Sequence, residues 1–315
     1  MTAASTTAAP PARPGGGALR RSAAWSRRAP LLPAMIFMII VTQLPFVATL
    51  VISTLDWNSF RPGERSFVFL DNYKTVFTDT ALRQAVVNTA IFTAAVVLVS
   101  VALGLGIALL LDRSFRGRGV VRTMMIAPFL VMPIAAALLW KHALLNPDYG
   151  LFNGVLTWIG DIFGDGSPPQ PAWISEMPKI AIIASLVWQW TPFMMLILLA
   201  GLQSQPGEPL EAAKVDGASA WQTFRYLTFP HMRNYLELAI LLGAIYIVQN
   251  FDAVFTITSG GLGTANLPYA VYQTFFTGHE YGQASAAGVV VVIGSIIIGT
   301  FALRVVSTLF KEEAR

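Results

Sequence analysis

The chain has no cysteine in 315 residues. Disulfide frameworks, thiolate nucleophiles, zinc ribbons and iron–sulfur clusters are thereby excluded. Charge is scarce as well. Asp, Glu, Lys and Arg make up 12% of the sequence, against about 25% in a soluble globular protein. Histidine occurs three times, as His142, His231 and His279, with no pair at ligand spacing. A GxxxxGKS/T phosphate loop, HExxH and GxSxG are all missing. P-loop nucleotide hydrolysis, zinc-protease chemistry and serine-hydrolase chemistry therefore have no basis in this sequence.

What is present is apolar. Hydrophobic residues reach 55% and mean hydropathy is +0.59. A chain this poor in charge cannot cover its own surface with polar groups, so lipid is its expected solvent. Six runs approach the ~20 residues that cross a ~30 Å hydrocarbon core: residues 31–53, 86–111, 121–140, 179–201, 235–257 and 284–310. The first follows a basic stretch, yet its apolar part exceeds the ~7–15 residues of a signal-peptide core and no small-x-small cleavage pattern follows. It is expected to be a retained span.

Basic residues orient these spans. Placing the N-terminus inside puts five Lys or Arg in the N-terminal tail, four in 112–122, three in 202–234 and three after 303. Outside lie four in 54–85 and two in 141–179. That bias follows the positive-inside rule and predicts a multi-pass protein with both termini cytoplasmic. The expected fold class is all-α, a polytopic membrane protein with six transmembrane helices.

Residues 1–30 are rich in Ala, Pro, Gly, Ser and Thr, with five arginines and no acid. They cannot bury a core and are expected to be a disordered cytoplasmic tail. Arg20, Arg21, Arg27 and Arg28 fit a topology signal, or alternatively a contact with anionic headgroups. Residues 31–310 form one membrane domain, and 311–315 a short cytoplasmic tail. The outer loops carry turn signals at Pro168-Pro169-Gln170-Pro171 and at Gly260-Gly261-Leu262-Gly263. The runs are nearly free of ionisable groups, and Asp252, near the outer end of the fifth, is the one singled out. Ion-coupled carriers need more, because such groups cost about 2.5–3.5 kcal/mol each and mark ion pathways. Energy for transport is expected to come from elsewhere.

One cytoplasmic segment, about residues 206–230, stands apart. Pro206, Gly207 and Pro209 end the fourth span and open a short helix, since Pro is tolerated in a first turn. Glu208 and Glu211 sit where the helix dipole favours negative charge. Gly217 can take the left-handed conformation that closes a helix. Ser219 stands three residues before Gln222, the spacing of a capping box, so a second helix is expected from Ala220. Pro230 is expected to stop it. Leu210, Ala213, Lys214 and Gly217 fall on one helical face and could enter a partner's groove. Trp221, Phe224 and Tyr226 equally suit an amphipathic loop resting on headgroups.

This segment resembles the EAA loop of ATP-binding-cassette importer permeases: Glu-Ala-Ala, three residues, Gly, nine residues, then aliphatic-x-Leu-Pro. Glu211, Ala212, Ala213, Gly217, Leu227 and Pro230 match, with Phe229 where Leu is usual. Other stretches resemble the carbohydrate-uptake branch, the permeases for maltose, glycerol phosphate and polyols. Phe67-Val68-Phe69-Leu70-Asp71-Asn72-Tyr73 is similar to FVGLDNY, with Phe69 in place of Gly. Asn88-Thr89, Gly117, Arg122 with Pro128, and Gly150-Leu151-Phe152-Asn153 fall where similar residues recur. Asn250-Phe251-Asp252 through Gly260-Gly261 is similar to the end of the fifth span, with Leu262 in place of the usual Pro.

The resemblance implies a type I importer fold in a bacterial inner membrane and a five-part machine. The other parts are a homologous second permease, an ATPase dimer and an extracytoplasmic substrate-binding protein, with the bilayer around the spans and no nucleic acid. ATP and Mg would be bound by the ATPase, leaving this chain without a cofactor or metal. Glu211, Ala212, Ala213, Gly217, Leu227 and Pro230 would be its coupling residues. The implied solute is a sugar or polyol. Alternatives are a permease for an amino acid or peptide, or a stand-alone carrier or channel.

For the substrate path, a continuous fifth helix places Tyr246, Gln249, Asn250 and Asp252 within an arc of roughly 160°. Polar groups in lipid must be satisfied internally, so this arc is expected to line a pore or a helix interface. Amides hydrogen-bond hydroxyls and rings stack on C–H faces, which suits neutral hydroxylated solutes. In the fourth span Trp188 and Gln189 join the candidate path. Trp188 and Trp190 point about 200° apart, so at most one of them faces it. Pro192 removes a backbone donor just beyond, and a kink is expected there.

Overall fold

The computed structural model describes residues 29–61, 63–164 and 170–312, with side chains to residue 300 and at Arg304. The arginine-rich tail through Arg28, Pro168-Pro169 and the last three residues lie outside the described residues. The chain divides into two units, 1–51 and 52–315. The first holds helix α1 (Leu32–Ile52) apart from its last residue. Its hydroxyls fold back on the helix: Thr42 Oγ1 donates to the Met38 carbonyl at 2.6 Å and Thr49 Oγ1 to that of Pro45 at 2.9 Å.

The second unit opens with a two-stranded antiparallel ribbon, β1 (Leu55–Asp56) on β2 (Ser66–Phe67), with Leu55 opposite Phe67 and Asp56 opposite Ser66. Helices follow: α2 (Asp71–Thr78), α3 (Thr80–Asp112), α4 (Arg118–Leu130), α5 (Pro133–Leu138) continued by a π-helical turn Leu139–Leu144, α6 (Leu151–Phe163), α7 (Trp173–Glu176) and α8 (Pro178–Gln203). Next come α9 (Gly207–Val215), α10 (Ala220–Thr223) with a π-turn Phe224–Thr228, α11 (Phe229–His231), α12 (Arg233–Val248), α13 (Asp252–Ile257), α14 (Leu267–Tyr272) and α15 (Tyr281–Glu312). The architecture is all-α.

Four of the six expected spans stand as single long apolar helices, α1, α3, α8 and α15 over Tyr281–Thr300. Helix α3 begins six residues before the hydropathy run because the Asp79 carboxylate caps it, accepting from the Leu82 amide at 2.9 Å. The other two spans depart from a straight helix. The third bends by 96° between Leu130 and Pro133. Proline donates no hydrogen bond and drives the residue before it extended, and Met132 sits at φ −56°, ψ 134°. The fifth stops at Val248 after 16 residues and restarts at Asp252. Counting the bent pair as one span gives five among the described residues.

The core lies where α3 and α8 meet. Met194, Met195, Leu198 and Leu199 are fully buried against Phe92, Val96 and Val97. The approach is close: a Cβ on Gly104 of α3 would stand 2.9 Å from the Met195 amide nitrogen. Helix α12 packs on the same pair and on α15. Despite Pro192, α8 runs unbroken from Pro178 to Gln203.

Candidate functional site

The candidate coupling segment, about residues 206–230, folds as its local sequence dictates. Helix α9 ends in paired reverse bonds, Ala218 N to Ala213 O at 2.9 Å and Gly217 N to Lys214 O at 3.2 Å. This is the Schellman closure. It requires a left-handed residue, and Gly217 supplies it at φ +79°. Two residues on, the Ser219 hydroxyl accepts from the Gln222 amide at 3.3 Å, and Gln222 Oε1 accepts from the Ser219 amide at 2.8 Å. The capping box starts α10 at Ala220 as expected. Pro230 does not stop the helical course. The chain widens into the π-turn Phe224–Thr228 ahead of the proline and continues to His231.

The two helices flank an open pocket of about 410 Å³ lined by Ala213, Gly217, Ala218, Gln222, Tyr226 and Leu227, among others. Of the motif residues, Ala213, Gly217 and Leu227 line it. Glu211, Ala212 and Pro230 are exposed and do not line it; Val215 is 87% exposed, and Tyr226, in the lining, 73%. Lys214 is exposed and Leu210 half-buried; neither lines the pocket. The seat is a concave, open surface with small residues at its turn.

The candidate path residues do not all converge. Tyr246, half exposed, stacks on Trp190 with centroids 5.4 Å apart and planes 25° apart. Phe193 and Phe129 complete that ring cluster. Trp188 instead packs edge-on to Trp140 and lines an apolar cavity of about 570 Å³ with Val99, Leu103 and Met124. Trp190, and not the candidate Trp188, is the tryptophan beside Tyr246. Gln189 is buried, and its amide donates to the Val131 carbonyl at 3.2 Å. That carbonyl is freed by the break in the third span, so the glutamine repairs it.

Gln249 is exposed and lines a depression between α12 and α15 with Ser295 and Thr300. The expected single polar arc is therefore corrected: α12 ends at Val248, and helical periodicity does not carry through to Asn250 and Asp252. The Asn250 carbonyl accepts from Asn266 Nδ2 at 2.5 Å. Its side-chain oxygen is buried without a protein partner. Asp252 opens α13, where a carboxylate suits the helix dipole.

A buried polar clamp holds the segment after α13. Asn88 is fully buried, and its Nδ2 donates to the carbonyls of Gly263 at 2.9 Å and Ala265 at 2.8 Å. Its Oδ1 accepts from Lys179 Nζ at 2.9 Å and Gln84 Nε2 at 3.2 Å. Thr89 Oγ1 accepts from the Leu267 amide at 2.8 Å, and Lys141 Nζ donates to the Thr256 carbonyl at 2.9 Å. In the sequence Asn88-Thr89 stood out only by resemblance, and the two lysines not at all, because their partners lie 91 or more positions away.

Known proteins resemble this chain. Residues 100–311 match the family described as binding-protein-dependent transport system inner membrane component. A probable ABC transporter permease protein of Sinorhizobium fredii is 35% identical over 266 residues, 83% of this chain and 84% of that protein. The trehalose transport system permease protein SugA of Mycobacterium tuberculosis is 32% identical over 275 residues, 85% and 86% of the two chains. The trehalose/maltose transport system permease protein MalF of Thermococcus litoralis is 33% identical over 260 residues, 82% and 86%. Among solved structures, a chain of a bacterial ABC transporter that imports alginate superposes with TM-score 0.76 at 22% identity, covering 92% of this chain and 99% of that one. The chain belongs to the binding-protein-dependent transport system inner membrane components, and is an ABC transporter permease subunit with the type I importer fold.

Proposed function

We propose that this permease carries a sugar or polyol inward, forming half of the translocation path in the membrane and taking its energy from a separate ATPase. The observation that carries the coupling half is the concave seat at Ala213, Gly217 and Leu227, closed by the left-handed turn and open on one side. Such a shape takes a helix end or side chain of a partner. In the complete transporter the partners are an ATPase dimer that binds ATP and Mg, a homologous second permease and an extracytoplasmic binding protein. Both termini of this chain face the cytoplasm, in keeping with its basic inner segments. The substrate class rests on the names of the relatives, trehalose and maltose permeases, and on the Tyr246–Trp190 ring pair. Rings recognise a neutral polyhydroxylated solute by stacking on its C–H faces.

Gly217→Asp tests the coupling. A Cβ at Gly217 meets nothing within 4 Å, and Asp tolerates the left-handed region better than most residues. The variant therefore folds and inserts, but places a carboxylate in the seat. Uptake is lost while the chain stays in the membrane at normal abundance. Normal uptake by an assembled Gly217→Asp transporter would overturn the assignment of this segment. Binding of trehalose, maltose and polyols to the purified binding protein, followed by calorimetry, tests the solute.

A further inference from the structure

The coupling segment has a second anchor that its motif does not include. At the far end of the segment, His231 Nε2 lies 3.2 Å from the Gly201 carbonyl oxygen and 3.1 Å from Ser204 Oγ. A carbonyl only accepts, so Nε2 carries the hydrogen and donates. Ser204 Oγ in turn lies 2.8 Å from the same carbonyl and 2.8 Å from Tyr235 Oη. The hydroxyl of Ser204 donates to Gly201, and that of Tyr235 donates to Ser204. Gly201 sits in the last turn of α8, and its carbonyl also accepts from the Ser204 backbone amide at 3.2 Å. His231, at the end of the coupling segment, adds a side-chain donor from another element to that carbonyl, and the same knot ties in the first turn of α12 through Tyr235.

Packing makes the knot tight. A Cβ on Gly201 would stand 2.6 Å from Cγ of Tyr235 and 2.9 Å from Sδ of Met232, a fully buried residue. Only glycine lets the ring and the sulfur lie directly on α8. Three pieces therefore share one junction: the coupling segment through His231 and Met232, the span carrying Gln189 and Trp190, and the span carrying Tyr246.

We infer that His231 is a positioning residue that locks the coupling segment to α8 and α12, so that a push on the segment moves both spans as one body. The inference rests on the reading of residues 206–230 as the part that meets the ATPase. A lever hinged at Met232 would leave the spans behind; a lever capped onto α8 takes them along. His231 touches no substrate and acts through Gly201, Ser204 and Tyr235.

The test uses the assembled transporter in lipid nanodiscs, with this chain spin-labelled at two introduced cysteines. The chain has none of its own, so V215C on the segment and I180C at the far end of α8 are its only labels. Both positions are exposed, at 87% and 61%. The expected result is a single narrow distance distribution that stays in place when Mg and ATP are added. His231→Ala broadens it and makes it shift with ATP, and His231→Gln, which keeps an N–H donor, restores the narrow peak. Tyr235→Phe removes one oxygen and leaves the ring on Gly201, so it gives a smaller broadening in a chain that folds. A narrow, ATP-independent peak in His231→Ala overturns the inference, as does a peak that shifts with ATP in the labelled parent. Failure of the coupling assignment is read separately, as ATP-driven uptake by Gly217→Asp.

Discussion

Asn88 and Lys179 meet at 2.9 Å, the amide oxygen of one accepting from the ammonium of the other across 91 positions of sequence. This bond fastens α3 to the start of α8, while the other end of the same amide holds the carbonyls of Gly263 and Ala265. Every polar atom of the buried Asn88 side chain is used. A network around a buried amide of this kind is costly to break, because groups that paired with it lose their partner.

Asn88→Ala is therefore expected to destabilise the chain by about 2–4 kcal/mol, the sum of unsatisfied partners and a small cavity. Lys179→Met costs less alone, since Asn88 keeps its two carbonyl bonds. The double variant should be milder than the two losses added, with a coupling of roughly 0.5–3 kcal/mol. Denaturation of the purified subunit in detergent measures all three. Strict additivity would mean that the Lys179 bond carries no weight.

Tyr246 and Trp190 lead to a second prediction. Their rings stack, yet Tyr246 remains half exposed, so it offers an aromatic edge and a hydroxyl while Trp190 backs it. Tyr246→Ala removes the contact surface and should raise KM for uptake by about tenfold, the scale of one aromatic stacking contact. Tyr246→Phe keeps the ring and should retain most of the uptake. Equal loss in both variants would assign the effect to the hydroxyl, and no loss in either would remove Tyr246 from the path.

What the sequence made legible was local. Gly217, Ser219 and Gln222 specify their closure and capping box within six residues, and both formed where the spacing placed them. The long helices were equally plain, because an unbroken apolar run of sufficient length has one reading in lipid. The breaks were not. At Gln249–Phe251 the polar and apolar residues continue a helical rhythm. The bonds that stabilise the irregular backbone there come from Asn266, and Asn88 and Thr89 hold the segment beyond. Pro133 did stand in view within the third run. What makes the 96° bend tolerable is Gln189, 58 positions on, which bonds the Val131 carbonyl. A residue with a polar side chain in a span was expected to face a path, and in this case it mends a neighbour's backbone.

Phe69 and Leu262, two of the three departures from the resembled motifs, are also two of the four non-glycine residues at positive φ among the described residues, at +50° and +55°. The left-handed region costs an L-residue about 1–2 kcal/mol, and glycine is spared that cost. At position 69 the resembled pattern has glycine, and the backbone agrees with the pattern rather than with phenylalanine. At position 262 the pattern has proline, which is fixed near φ −65° and cannot occupy the observed conformation. Phe69→Gly and Leu262→Gly should each raise the thermal midpoint of the purified subunit, partly offset by glycine's greater freedom when unfolded. Both side chains are more than half exposed, so little packing is lost. Leu262→Pro should do the opposite: it forces the turn before Asn266 to reorganise and strains the Asn88 bonds to Gly263 and Ala265. If Leu262→Pro melts at or above the temperature of the parent, the left-handed turn is not what holds this segment. The hydrogen bonds from Asn88 alone would then set its conformation.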